Sequence, residues 1–105
     1  MIVVLEPCRR ELKRFPVAVR ADLADALARL EEGHTLSMPL SRPMPSVGAG
    51  VHELRLRDRS GVYRTIYALV RGGAVYVVHA FKKTTQTTAK RNIELACRRL
   101  KELPR

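Results

Sequence analysis

Residues 51–81, VHELRLRDRSGVYRTIYALVRGGAVYVVHAF, leave little choice of fold. Three runs of alternating β-branched, aromatic and polar residues are separated only by DRSG and RGG. Strands joined by turns this short pair antiparallel, because a parallel pair needs a crossover of a dozen residues or more. The spacing therefore predicts a meander: Val51 to Arg57, Val62 to Val70 and Ala74 to Phe81. Strand alternation then sorts the side chains by face. On the first strand Leu54 and Leu56 point one way and Glu53, Arg55 and Arg57 the other, which makes that second face wholly polar. On the second strand Tyr63, Thr65, Tyr67 and Leu69 oppose Val62, Arg64, Ile66, Ala68 and Val70, so Arg64 is a lone cation in an apolar row.

What precedes the meander reads as helical. Ile2 to Leu5 is a short β-branched run suited to an edge strand. Glu6-Pro7 then opens a helix, since proline at the first helical position loses no hydrogen bond. That helix, CRRELKRF, ends before Pro16. A second runs from Val17 to Glu32, with Val19, Leu23, Leu27 and Leu30 on one stripe and Gly33 as its stop. Residues 34–50, HTLSMPLSRPMPSVGAG, read as a loop crossing to the sheet. After the meander, Thr87 or Thr88 is a candidate cap for a last helix striped by Ala89, Ile93, Ala96 or Cys97, Leu100 and Leu103. The expected fold is α+β in the order β-α-α-β-β-β-α: a twisted antiparallel sheet, a helical hairpin on one face and a C-terminal helix. Its 105 residues are expected to form one domain, 1–105.

Charge limits the function. Lys and Arg total 20 against 10 acids, 15 of the 20 are Arg, and the net charge is +10. The guanidinium fork suits phosphate, so a polyanionic partner such as nucleic acid is expected. Cys8 and Cys97 read as reduced structural thiols. The opening MIVVLEPCRR is too short and too quickly charged for a secretory apolar region, and no run approaches a membrane span, so a cytoplasmic location is expected. His34, His52 and His79 lack metal-ligand spacing, and neither a metal nor another cofactor is expected.

Cations on adjacent strands repel one another, so Arg55, Arg57, Arg64 and the nearby Lys82 and Lys83 ask for an outside anion. For Arg64 two readings stand: an ion pair with Glu53 or Asp58, or a ligand contact. Cleavage of RNA by its own 2′-hydroxyl needs such a cluster, because negative charge builds on the phosphorus oxygens in the transition state. His79 is the titratable group of most interest, either a satisfied core histidine or a catalytic one. Tyr63 and Tyr67 fit the core better than base stacking. Arg9, Arg10, Lys13 and Arg14 lie on the first helix, as solvated charge or as an RNA contact.

From Val51 to about Leu100 the chain resembles the RelE/HigB superfamily, in particular its phage-derived HigB-like branch. The resemblance rests on HELRLRDRSGVYRTIYALVRGG and VHAFKKTTQTTAKRNIELA: a Leu-Arg strand, a Gly turn, an aromatic-Arg pair and a Phe-x-Lys-x-Thr-Gln-x-Thr strand end, in that order. It implies a toxin of a type II toxin–antitoxin pair, a ribosome-dependent mRNA endonuclease held in check by a helix-turn-helix antitoxin encoded beside it. Arg55 and Arg57 match the basic pair that contacts mRNA, Arg64 the arginine that stabilises the scissile phosphate, and Lys83 the last basic position. RelE carries a tyrosine a few residues beyond that position, where this chain has TTQTTA. His79 joins these four as a catalytic candidate, and Lys82, Arg59, Lys90 and Arg91 as candidates for RNA contact. Two other functions fit the same fold and charge: a ParE-like poison of DNA gyrase, and a non-catalytic module that binds RNA or the ribosome.

Overall fold

The computed structural model describes residues 1–84 and 88–103. The elements in chain order are β1 (Ile2–Val4), α1 (Glu6–Leu12), α2 (Val17–Glu31), β2 (Ser41–Pro43), β3 (Val51–Asp58), β4 (Gly61–Leu69), β5 (Val75–Lys83) and α3 (Lys90–Lys101). The strands make one sheet in the order β1-β5-β4-β3-β2. β3, β4 and β5 are the expected meander, and the helical hairpin and last helix follow the expected order.

Two features of the sheet differ from the sequence reading. β1 pairs parallel to β5, Ile2 with Val75 and Val4 with Val77, because the whole of the helical hairpin and meander intervenes as a crossover. Inside the expected loop, β2 adds an edge strand antiparallel to β3. Three residues with no alternation carry no strand signal, and Pro43 is tolerated there because an edge strand has a side with no ladder bonds to make. The Ser41 and Tyr67 hydroxyls share a buried hydrogen bond of 2.6 Å that ties β2 to β4 across β3.

Each face has its own core. Val19, Leu23, Ala26 and Leu30 of α2 pack on Leu54, Leu56, Tyr63, Tyr67, Val75 and Val77, together with Cys8 and Phe15. The α2 stripe is completed by Ala26, with Leu27 only at its margin, and Gly33 ends the helix with φ +92°. Tyr63 and Tyr67 are core residues, as their alternation suggests. On the opposite face Ala96, Leu100 and Leu103 cover Val51, Ile66, Ala68 and Val78. The N-terminal boundary of α3 is Ala89, with no side-chain cap. Thr88 spends its hydroxyl elsewhere, and Thr87, the alternative cap, lies outside the described residues, as do Thr85 and Gln86. No described helix is long and apolar enough to cross a membrane.

A bulge in β5 positions the site. Ile66 faces His79 while Tyr67 faces Val77, so Val78 has no partner on β4. Beyond the extra residue the alternation is inverted. His79, Phe81 and Lys83 consequently fall on the α3 side of the sheet, and Lys82 falls on the other.

Candidate functional site

α3 covers only one end of its face. At the other end, cross-strand register lines up three rows of side chains: Arg42, Glu53 and Ile66; then Arg55, Arg64 and Phe81; then Arg57, Val62 and Lys83. Neighbouring strands lie about 4.8 Å apart and same-face residues about 6.7 Å apart along a strand, so long cationic side chains in these rows reach a common anion. A cleft of about 390 Å³ lined by Arg55, Arg57 and Arg64, with Pro39 and Leu40 as its apolar wall, opens there.

Arg64 is only 5 % exposed and Glu53 only 1 %. Its Nε stands 3.4 Å from Glu53 Oε1, a charge contact whose geometry leaves that N–H without a hydrogen bond. Thr88 donates its hydroxyl to the other carboxylate oxygen, Glu53 Oε2, at 2.7 Å. The ion-pair reading of Arg64 with Glu53 is what the structure shows, and the same residue lines the cleft. Asp58 instead accepts from the Ser60 hydroxyl and amide. Glu53 stays on the polar face read from alternation but is buried there, with Thr88 bonded to it.

The electrostatics of the cluster follow from its crowding. Burial lowers the Arg64 pKa, Glu53 opposes that, and Arg55, Arg42 and Arg57 add to the lowering. An arginine stays charged through such a shift. For Lys83 the direction is the same, with burial first and then the repulsion of Arg64. One buried carboxylate faces five cations here, so the site stays strongly positive.

Arg55, Arg57, Arg64 and Lys83 thus share one face. Lys82 does not join them: its Nζ sits 5.9 Å over the Tyr63 ring, on the helical-hairpin side. Simple alternation misplaces the two lysines because it misses the bulge. Arg59 is exposed in the β3–β4 turn, and Lys90 and Arg91 are exposed at the start of α3. Lys90 lies 3.8 Å from Glu94.

His79 lies on the site's face but is 3 % exposed, and both ring nitrogens are engaged. Nδ1 is 3.0 Å from Glu11 Oε1 and Nε2 is 2.8 Å from Asn92 Oδ1. Arg99 donates from both Nη atoms to the Glu11 carboxylate, at 2.8 and 3.0 Å, and from Nη1 to Val78 O. Burial opposes ionisation of Glu11, but hydrogen bonds from His79, Arg99 and the Ala80 amide overcome it and hold the pKa at about 2. This network ties α1, β5 and α3 together and replaces β1 as the partner of β5 past Val77. Nearby, burial pushes the Cys8 thiol up to about 12, as befits a structural cysteine.

Sequence reasoning missed Arg42. It stands on β2, whose three residues read as loop, and only the pairing with β3 brings it to the site's face.

A family profile described as phage derived protein Gp49-like matches residues 10–101. No curated protein sequence matches the chain. Among solved structures, it is similar to a double arginine-to-alanine mutant of Escherichia coli toxin RelE in the free state. The identity is 22 %, 95 % of this chain and 96 % of that chain are covered, and the TM-score is 0.68. It is also similar to the isolated E. coli RelE toxin, at 20 % identity over 82 % of this chain and 87 % of that one, with a TM-score of 0.57. At these identities the likeness to RelE is one of fold. The chain belongs to the Gp49-like family of phage-derived proteins and is built on the RelE fold.

Proposed function

We propose that this protein is the toxin of a type II toxin–antitoxin pair and that it cuts translated mRNA on the ribosome. The observation that carries the reading is the cleft lined by Arg55, Arg57 and Arg64, with Lys83 on the same face of the sheet one strand beyond Val62. The RelE fold and the family membership support the toxin class.

In this reading the substrate's 2′-hydroxyl gives up its proton to solvent as its oxygen attacks the adjacent phosphorus, a P–O2′ bond forms and the P–O5′ bond breaks. Negative charge grows on the non-bridging oxygens as it does so. Fixed guanidinium groups bind that state better than the ground state, and this difference is what accelerates the reaction. Arg64, clamped by Glu53, is the most rigidly held of them. Lys83, its pKa lowered by burial and by the arginines, is the member of the cluster able to exchange a proton, and it gives one to the leaving 5′-oxygen. His79, both nitrogens occupied, acts as a positioning residue. Its ring stacks on Phe81 at 5.1 Å, and Phe81 is the cross-strand neighbour of Arg64. Charge stabilisation and protonation of the leaving group use the chain's own side chains, with neither metal nor cofactor. Arg59, Lys90 and Arg91 widen the basic surface toward ribosomal RNA, and Lys82 serves the opposite flank. The antitoxin, a helix-turn-helix protein encoded alongside, keeps the toxin silent in the cytoplasm.

Expression in a bacterial host tests this. The wild type arrests growth and leaves cuts at codons of translated messages, and Arg55→Met/Arg57→Met does neither. Growth arrest with intact messages and broken DNA makes the protein a gyrase poison instead. Folded protein that leaves growth, messages and DNA untouched makes it a binding module.

A further inference from the structure

We infer that Thr88 is a positioning residue: it holds the Glu53 carboxylate back from Arg64 and so keeps the guanidinium's donors for an anion in the cleft. This deepens the reading above, and its RNA arm rests on that reading.

Arg64 and Glu53 are both buried, and a guanidinium–carboxylate pair frequently closes into a fork of two short hydrogen bonds. This pair stops short of that. Arg64 Nε stands 3.4 Å from Glu53 Oε1, and among the described residues its N–H has no hydrogen-bond partner. A buried donor left in that state is costly, and a small turn of the carboxylate toward Arg64 would satisfy it. What opposes the turn is on the other oxygen, where the Thr88 hydroxyl donates to Glu53 Oε2 at 2.7 Å. Thr88 stands just before α3, whose Ala96 and Leu100 are packed into the core on that face. The carboxylate is thus held from the α3 side, and only a charge contact joins it to Arg64.

Thr88 also forgoes a local bond. A threonine hydroxyl at a helix start ordinarily accepts from the open amides there, yet α3 begins behind Ala89 with no side-chain cap. Two hydrogen bonds, the helix cap and the Arg64–Glu53 bond, are left unmade around one cleft. The cleft supplies the reason, because Arg64 lines it. A guanidinium forked onto Glu53 would present a neutral pair to a phosphate. Held by charge alone, it keeps its fork of donors for that phosphate. Branching at Cβ restricts the Thr88 side chain to few rotamers, which fixes the direction from which its hydroxyl pulls.

The test uses purified, isotope-labelled protein and a 2′-O-methyl oligouridylate, which binds but cannot be cut. NMR reads the Arg64 Nε–Hε resonance, and titrations read affinity for the probe, each variant being checked by thermal unfolding. Thr88→Val moves the Arg64 Hε signal downfield, as the released carboxylate closes on it, and unfolds near the wild-type temperature. Its affinity for the probe falls about tenfold, the effect of one charge-assisted hydrogen bond. Thr88→Ser keeps the hydroxyl, so the signal stays in place and the affinity within about twofold of wild type. In a Glu53→Gln background no carboxylate remains to close on Arg64, and Thr88→Val changes affinity by less than about twofold. A Thr88→Val protein whose Arg64 signal stays put, that binds the probe as wild type does, or whose loss recurs in full beside Glu53→Gln, overturns the positioning role and leaves the RNA reading standing. Wild type that fails to bind the probe, while the Arg64 signal still moves in Thr88→Val, overturns the RNA reading alone.

Discussion

Arg64 Nε lies 3.4 Å from Glu53 Oε1, and both side chains are closed to solvent. The residue best placed to bind substrate phosphate is thus also half of a buried ion pair. Loss of one partner leaves the other charged and desolvated, which is far more costly than loss of the pair. Arg64→Ala is therefore expected to destabilise the fold by about 3–5 kcal/mol. Glu53→Gln/Arg64→Ala, which removes both charges, is expected to recover most of that. Denaturant unfolding of the three proteins checks the order. The same coupling makes Arg64→Ala a poor probe of activity, and it is why the tests above use Arg55 and Arg57.

The two adjacent lysines are expected to behave differently. Lys83 shares the row of Arg57, while Lys82 lies over Tyr63 on the far side of the sheet. Lys83→Met should lower the rate of mRNA cleavage by about a hundredfold, in line with loss of one group that stabilises charge in a transition state. Lys82→Met should stay within a fewfold of wild type. Single-turnover cleavage by each variant measures this.

Glu11 gives the fold a specific acid sensitivity. Its folded pKa of about 2 lies below the ordinary 4.5. A depressed carboxyl contributes stability that is fully present above the unfolded value and is lost as pH falls through the folded one. The groups that hold it are His79, Arg99 and the Ala80 amide, with the Cys8 thiol close by. The stability of wild type over Glu11→Gln should accordingly be constant above about 4.5 and shrink between there and about 2. Urea unfolding of both proteins across that range checks it.

β2 hangs on few interactions. Ser41→Ala leaves the buried Tyr67 hydroxyl without its 2.6 Å partner, and a loss of about 1–3 kcal/mol is expected. Because Arg42 follows Ser41 on β2, on the face of the cleft, that variant should also weaken binding of single-stranded RNA. Thermal unfolding and the titration read the two effects separately.

The meander, both helices of the hairpin and the last helix were legible because apolar period and turn chemistry agree over whole segments. Arg55, Arg57 and Arg64 were legible for the same reason, since β3 and β4 pair without irregularity. The sequence concealed what depends on pairing between distant segments. β2 is three residues with a proline, and only β3 gives it an identity as a strand. The bulge at Val78 has no glycine to mark it, yet it decides which lysine faces Arg64. Thr88 reads as a helix cap, but a buried carboxylate 35 positions earlier claims its hydroxyl. His79 reads as either a satisfied core histidine or a catalytic one, and its strand does not name the partners that satisfy it, because Glu11, Asn92 and Arg99 reach it from other elements.

The most direct measurement adds purified protein to a reconstituted translation reaction and maps the ends of the message. The account predicts cuts only where ribosomes are translating, with 2′,3′-cyclic phosphate and 5′-hydroxyl ends. It also predicts that Arg55→Met/Arg57→Met abolishes them while unfolding at the wild-type temperature. An intact message in the presence of folded wild-type protein, or cuts that persist in the folded double variant, would contradict it.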